Sequence, residues 1–236
     1  MKPMRKFVFL LLFTTRFWAQ DIQPEVLPSP MISVDSLYRE DQFYLGFTYN
    51  ILLNMPGDVN QNKFSPGFKG GFLRDFPINK RRNVAFAPGL GVTYSNYFQS
   101  LFITRVNGEP YYSTKTIGSS YQKNKFEELF IDVPIEFRWR TSQPVGHKFW
   151  RVYSGVQFSY LVYNKSVYID DAVAVRIHNN PDFRKWQVGL YIAAGNNSWN
   201  LYAYYGLLPI FKDGIEVEGE TINLHTMNLG LMFYIL

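Results

Sequence analysis

Histidine is scarce in this chain: His147, His178 and His225 are the three present. His178 closes the stretch IDDAVAVRIH, which also holds Asp170 and Asp171. An Asp–His pair in one loop can activate water or orient a base. The plainer reading is a solvated loop with incidental charge, and the spacing favours it. No HxxxH or HExxH pattern occurs, and no GxSxG. Cysteine is absent, which excludes disulfides, thiolate zinc sites and cysteine nucleophiles. The residues therefore define no catalytic, cofactor-binding or metal-binding set, and the chain reads as a non-enzyme with no cofactor.

A different chemistry is carried by charges at alternate positions. Asp132, Glu136, Arg138 and Arg140 recur with period two, and Glu128 shares their face. Arg151 opens the corresponding face of the next segment, and Lys69 and Asp75 share one face of an earlier segment. Period two places such residues on one side of a strand. Charges of both signs brought together in a narrow space should pair, because an unpaired buried charge is costly. The structural reading of this set is a salt-bridged plug. The functional readings are a polar path for ions or solute, or a docking surface for a partner.

The segments that would position these charges number eight. They cover residues 42–53, 64–76, 84–102, 126–140 and 149–165, then the two arms of a hairpin within 186–208, then 221–236. The fourth is the clearest: Leu129, Ile131, Val133, Ile135, Phe137 and Trp139 alternate with the charges. In the hairpin the face opposite Leu and Ile is small, aromatic or mildly polar: Gln187, Gly189, Tyr191 and Ala193, then Asn200, Tyr202, Tyr204 and Gly206. Short turns at 77–83, 142–147 and 195–198 alternate with long, polar loops at 54–63, 103–125, 166–182 and 212–220. Pro88 and Pro134 fall inside the third and fourth segments, where a missing ladder donor predicts bulges or, alternatively, a lateral contact site.

Composition indicates the solvent. Aromatic residues make up 18% of the chain, and charged residues, also 18%, fall below the roughly 25% of a soluble domain. A lipocalin-like barrel or a β-sandwich would turn its apolar face inward and would need more charge than this to coat its exterior. No later segment is apolar for long enough to be a membrane helix, so a membrane would be crossed by a closed set of strands. The pattern predicts an all-β chain: an eight-stranded antiparallel transmembrane β-barrel of the outer membrane over 41–236. Its apolar face would meet outer-membrane lipid, and both termini would be periplasmic. Trp139, Trp150, Trp186 and Trp199 lie near segment ends, as membrane-interface aromatics do.

The first 20 residues read as an export signal: Lys2, Arg5 and Lys6, then the apolar run FVFLLLF, then Ala19 for cleavage. Four of the 24 basic residues lie there, which leaves 20 against 19 acids, too even a balance for nucleic-acid binding. Residues 21–40 carry Pro24, Pro28 and Pro30 and read as a periplasmic linker.

Several phrases are longer than generic alternation requires. GFLRDFPINKRRNVAFAPGLG at 71–91, IDVPIEFRWRTS at 131–142, KFWRVYSGVQFSYLV at 148–162, WNLYAYYGLLPIFK at 199–212 and the terminal GLMFYIL stand out. Together they resemble the PorT family of Bacteroidetes outer-membrane β-barrel proteins. The resemblance implies an accessory component of type IX protein secretion, which also supports gliding in some species. It further implies action through contacts with secretion-machinery proteins. A small pore or solute-binding barrel of the porin-like class is the alternative, resting on the inward charges.

Overall fold

A computed structural model describes residues 41–61, 63–114, 121–141, 150–171 and 173–235. The expected signal (1–20), the linker (21–40), the turn at 142–147 and His147 lie outside the described residues.

Eight long strands form the wall: β1 (Gln42–Leu53), β2 (Pro66–Leu73), β3 (Val84–Phe98), β4 (Lys123–Arg140), β5 (Trp150–Ile169), β6 (Trp186–Asn196), β7 (Trp199–Gly206) and β8 (His225–Ile235). Each pairs antiparallel with its successor in the chain, and β8 pairs back onto β1. The result is a closed up-and-down barrel. Closure leaves no unpaired edge among these strands, so their backbone groups are satisfied without water.

Alternation in sequence becomes alternation of side. Phe43, Leu45 and Phe47 of β1 are exposed outside, while Tyr44, Thr48 and Asn50 are buried inside. The other strands follow suit, giving an apolar outer wall that includes Phe68, Leu90, Ile131, Phe137, Leu190, Ile192 and Leu201. The narrow interior is filled by interlocking large and small residues. A Cβ on Gly91 would strike the Tyr44 hydroxyl, one on Gly189 the Tyr204 ring, and one on Gly155 the Tyr191 ring. The glycines are thus the sockets into which inward tyrosines fit.

Two expectations need correction. Pro88 and Pro134 cause no bulge: the β3–β4 register is the same at Pro88↔Ile135 and at Gly91↔Asp132. The prolines lie on adjacent strands at almost the same level, but their missing donors fall in different ladders: the Pro88 carbonyl accepts from Arg74, so Pro88 faces the β2 side, while Pro134 stands opposite Gly89, where the β3–β4 pairing is interrupted. The bulge lies instead in the β4–β5 ladder, where Leu129 pairs with Tyr163 but Phe130 with Leu161. The extra residue, Val162, reverses the alternation of β5. Arg151 through Leu161 face inward at odd positions, and Asn164, Ser166 and Tyr168 at even ones.

The second correction concerns the long loops, which are not simply polar. Phe102–Val106 pairs with Glu109–Ser113, Glu216–Val217 with Glu220–Thr221, and Ala174–His178 extends the edge of β5. These pieces enclose an apolar cluster that includes Leu101, Ile103, Phe183, Ile210, Phe211 and Leu224. Phe211 packs on Phe183 at 4.6 Å and edge-on to Tyr112 at 5.6 Å. Burial pushes the Tyr112 phenol well above its usual range, so it remains a donor, to Asp182 Oδ2 at 2.7 Å. The long-loop end of the barrel is therefore covered by a small hydrophobic core of its own.

Candidate functional site

The ladder brings the inward charges together. Asp75, just past β2, meets Arg138 and Arg140 of β4 near the short-turn end. Its Oδ1 accepts from Arg138 Nη1 at 3.0 Å and Arg140 Nη1 at 2.9 Å, and its Oδ2 from Arg140 Nη2 at 2.8 Å. Arg138 Nε donates to Glu136 Oε2 at 2.9 Å, and the Tyr234 hydroxyl donates to Glu136 Oε1 at 3.1 Å. All four side chains are essentially inaccessible to solvent. The Arg138 guanidinium also lies 4.9 Å from the Tyr153 ring centre, and Arg151 lies 5.7 Å from those of Tyr153 and Tyr234.

Toward the long-loop end the partners become neutral. Lys69 donates to Gln157 Oε1 at 3.0 Å and to the Tyr202 hydroxyl, with its ammonium 4.5 Å from the Tyr202 ring centre. Gln157 donates to Ser159, and Ser159 to Asp132 Oδ1 at 2.6 Å, while Thr93 donates to Asp132 Oδ2. Lys69 and Asp132 are thus linked through uncharged side chains.

Glu128 completes the set, and the candidate site read from sequence lacks it. Its Oε1 is buried without a hydrogen-bond partner. Counting it, four basic side chains, Lys69, Arg138, Arg140 and Arg151, share the lumen with four acidic ones, Asp75, Glu128, Asp132 and Glu136. Alternation already puts Glu128 on the face of Asp132. Charge balance was the signal that could have added it to the site.

Very little space remains between these groups. Two internal cavities measure about 20 Å³ and about 10 Å³, the first lined by Glu128, Thr226 and Asn228 among others, the second by Tyr44, Pro134 and Glu136 among others. A single water needs roughly 10–15 Å³. Among the described residues these two cavities leave no room for a solute within the charge network.

The histidine candidates separate. Asp170 accepts from the Val173 amide at 2.6 Å and the Tyr168 hydroxyl at 3.0 Å. Asp171 accepts from Gln122, while His178 Nδ1 meets the Tyr163 hydroxyl at 2.7 Å. His225 Nδ1 lies 2.9 Å from the Gly206 carbonyl. Among the described residues no cluster of three or more His, Asp or Glu could hold a metal.

Trp139, Trp150, Trp186 and Trp199 are all exposed on the outer wall. Asn196 pairs with both Trp150 and Trp199, and Trp139 is close by through Val152. Trp186 stands at the opposite end of β6, ten residues from Asn196. At about 3.3 Å per residue and a tilt of about 40°, that separation is roughly 25 Å along the barrel axis.

A closed meander of eight antiparallel strands, apolar outside and polar within, defines an integral membrane barrel. The chain belongs to the outer membrane protein beta-barrel domain family, whose model matches residues 18–212. The curated proteins give no match. Among solved structures the chain is similar to a mutant of the Rhodopseudomonas blastica porin, at 11% identity and TM-score 0.16, covering 84% of this chain and 100% of that one. A second, described as "Asymmetric conductivity of engineered proteins", stands at 10% identity and TM-score 0.16 with the same coverage. At these scores the likeness bears on neither fold nor function.

Proposed function

We propose that this outer-membrane barrel works through contacts made by its surface, and that nothing passes through its lumen. The observation that carries this reading is the filled interior: eight buried ionisable side chains, sockets occupied by tyrosines, and an apolar cover over the long-loop end. On this reading the alternative, a small pore or solute-binding barrel, lacks the space it needs.

The specific role we propose is that of an accessory component in type IX protein secretion. The PorT-like phrases support it, as does a barrel with no lumen chemistry left to explain. The partners would be secretion-machinery proteins. Deleting the gene in its native host and following export of known cargo tests this role directly. Export should fail while the outer membrane stays intact; normal export would remove the role but leave the closed barrel standing.

The same proposal sets an orientation, with the long loops outside the cell and the short turns and both termini in the periplasm. The four tryptophans would then mark the two interfaces, since their roughly 25 Å separation matches the apolar band of such barrels. Cysteine is absent, so single cysteines can report without background. A membrane-impermeant thiol probe should label Gly108→Cys and Asp171→Cys on intact cells. It should reach Asn197→Cys only after permeabilisation. The opposite pattern would invert the barrel.

A further inference from the structure

The outer wall is not smooth at the long-loop end of β5 and β6. Their ladder ends at Tyr160↔Trp186, closed by Leu161 N donating to Lys185 O at 2.8 Å. Farther along, Asn164 holds the returning chain: Asn179 N donates to its carbonyl, Asn180 N to its Oδ1 at 2.8 Å, and its Nδ2 to the Asn180 carbonyl. Between these two anchors the chain turns inward, with Arg184 N bonding Ile210 O and Lys212 N bonding Asp182 O. The extra residue of the bulge, Val162, lies on the β5 side of the same gap. The gap is an outward-opening cleft of about 410 Å³.

The walls of this cleft are of mixed character. Tyr160 and Val162 continue the apolar outer wall, and Trp186 packs edge-on to Tyr160 at 4.9 Å. Tyr163 and Asn179 line it farther along β5, and Lys185 lines it beside Trp186, opposite Leu161. Lys185 is exposed and lines the cleft, and no carboxylate does. The nearby acids have other partners: Asp182 accepts from Tyr112, Asp213 pairs with Arg184, and Glu127 pairs with Lys125. The cleft therefore offers apolar side chains, aromatic rings and a cation with no carboxylate in the lining, the chemistries that meet a lipid's acyl chains and its headgroup.

We propose that this cleft binds a membrane lipid with a net-negative phosphate headgroup, the phosphate on Lys185 and the upper acyl methylenes against Tyr160 and Val162. The site is independent of any role in export and of which leaflet the long-loop end meets.

Trp186 is the reporter. In the full chain, Trp18, Trp139, Trp150 and Trp199 are replaced by Phe, leaving Trp186 as the single tryptophan. The protein is reconstituted in phosphatidylcholine vesicles containing a minor fraction of bromo-acyl phosphatidylglycerol or, separately, bromo-acyl phosphatidylcholine. The phosphatidylglycerol should occupy the site next to Trp186 about fivefold more than the phosphatidylcholine does, the typical worth of one cation near an anionic headgroup. The preference should fall to near unity in Lys185→Gln, chosen as the mild variant, and in Lys185→Glu. It should persist in Lys80→Gln, at the opposite end of the barrel. Equal quenching by the two lipids, or a preference unchanged in Lys185→Gln, overturns the proposal. So does loss of the preference on adding inorganic phosphate at matched ionic strength, which would mark a site for the free anion.

Discussion

The two ends of the lumen are closed by opposite chemistries. Near the short turns Asp75, Glu136, Arg138 and Arg140 interlock as buried ion pairs carried by or beside wall strands. At the long loops Phe183, Ile210, Phe211 and Leu224 cover the opening as an apolar cluster held mainly by segments between strands. Ion pairs inside a barrel gain little net stability over a packed apolar core, but removing one partner is severe. An apolar cluster behaves the other way: each side chain adds burial, and losing one costs a cavity. The first closure should fail together with the wall, while the second should fail locally.

The ion-paired end is most sensitive at Glu136. Glu136→Lys replaces the carboxylate on Arg138 by a cation and brings it against Arg138, Arg140 and Arg151. Loss of one partner of a buried pair costs roughly 3–5 kcal/mol, and reversal should be no milder. Heat-modifiable gel mobility should show the whole barrel unfolding at lower temperature. Unchanged thermal stability would mean that these residues face water.

Phe211→Ala should cost about 3 kcal/mol through the cavity it leaves, but in a different place. Limited proteolysis should cut the loops around residues 102–113 and 213–221 sooner, while the heat-induced mobility shift of the barrel barely moves. A whole-barrel loss equal to that of Glu136→Lys would make the two closures one cooperative unit.

The smallest effect has the opposite sign. Glu128 buries a carboxyl oxygen without a partner, so Glu128→Gln removes a group that can be buried only at the cost of its charge. At neutral pH the variant should be more stable by about 1 kcal/mol, read as a higher temperature for the mobility shift. Destabilisation would mean that the carboxylate has a partner in solution.

The difference between the two ends also explains what the sequence could tell. The wall and its inward charges follow from period two, because a strand fixes the side of every residue it carries. Thus alternation alone bounds β1 at 42–53 and puts Lys69, Asp132 and Arg138 on the inward face. The apolar cover has no such period. Ile103, Ile210, Phe211 and Val217 come from short hairpins and irregular chain, and meet only after the barrel has brought the loops together. The same reason hid the cleft at Lys185, which depends on a single extra residue, Val162, that no pattern announces. The prolines misled because a missing donor can be absorbed as a gap in the ladder without a change of register.

The claim on which the functional reading rests is that the lumen is closed. Planar-bilayer recording of the purified chain tests it most directly. The structure predicts a silent membrane, because internal cavities of about 20 Å³ and 10 Å³ hold no continuous file of water. A steady, ion-selective conductance, altered in size or selectivity by Arg138→Ala, would contradict the account and place ions where the charge network now stands.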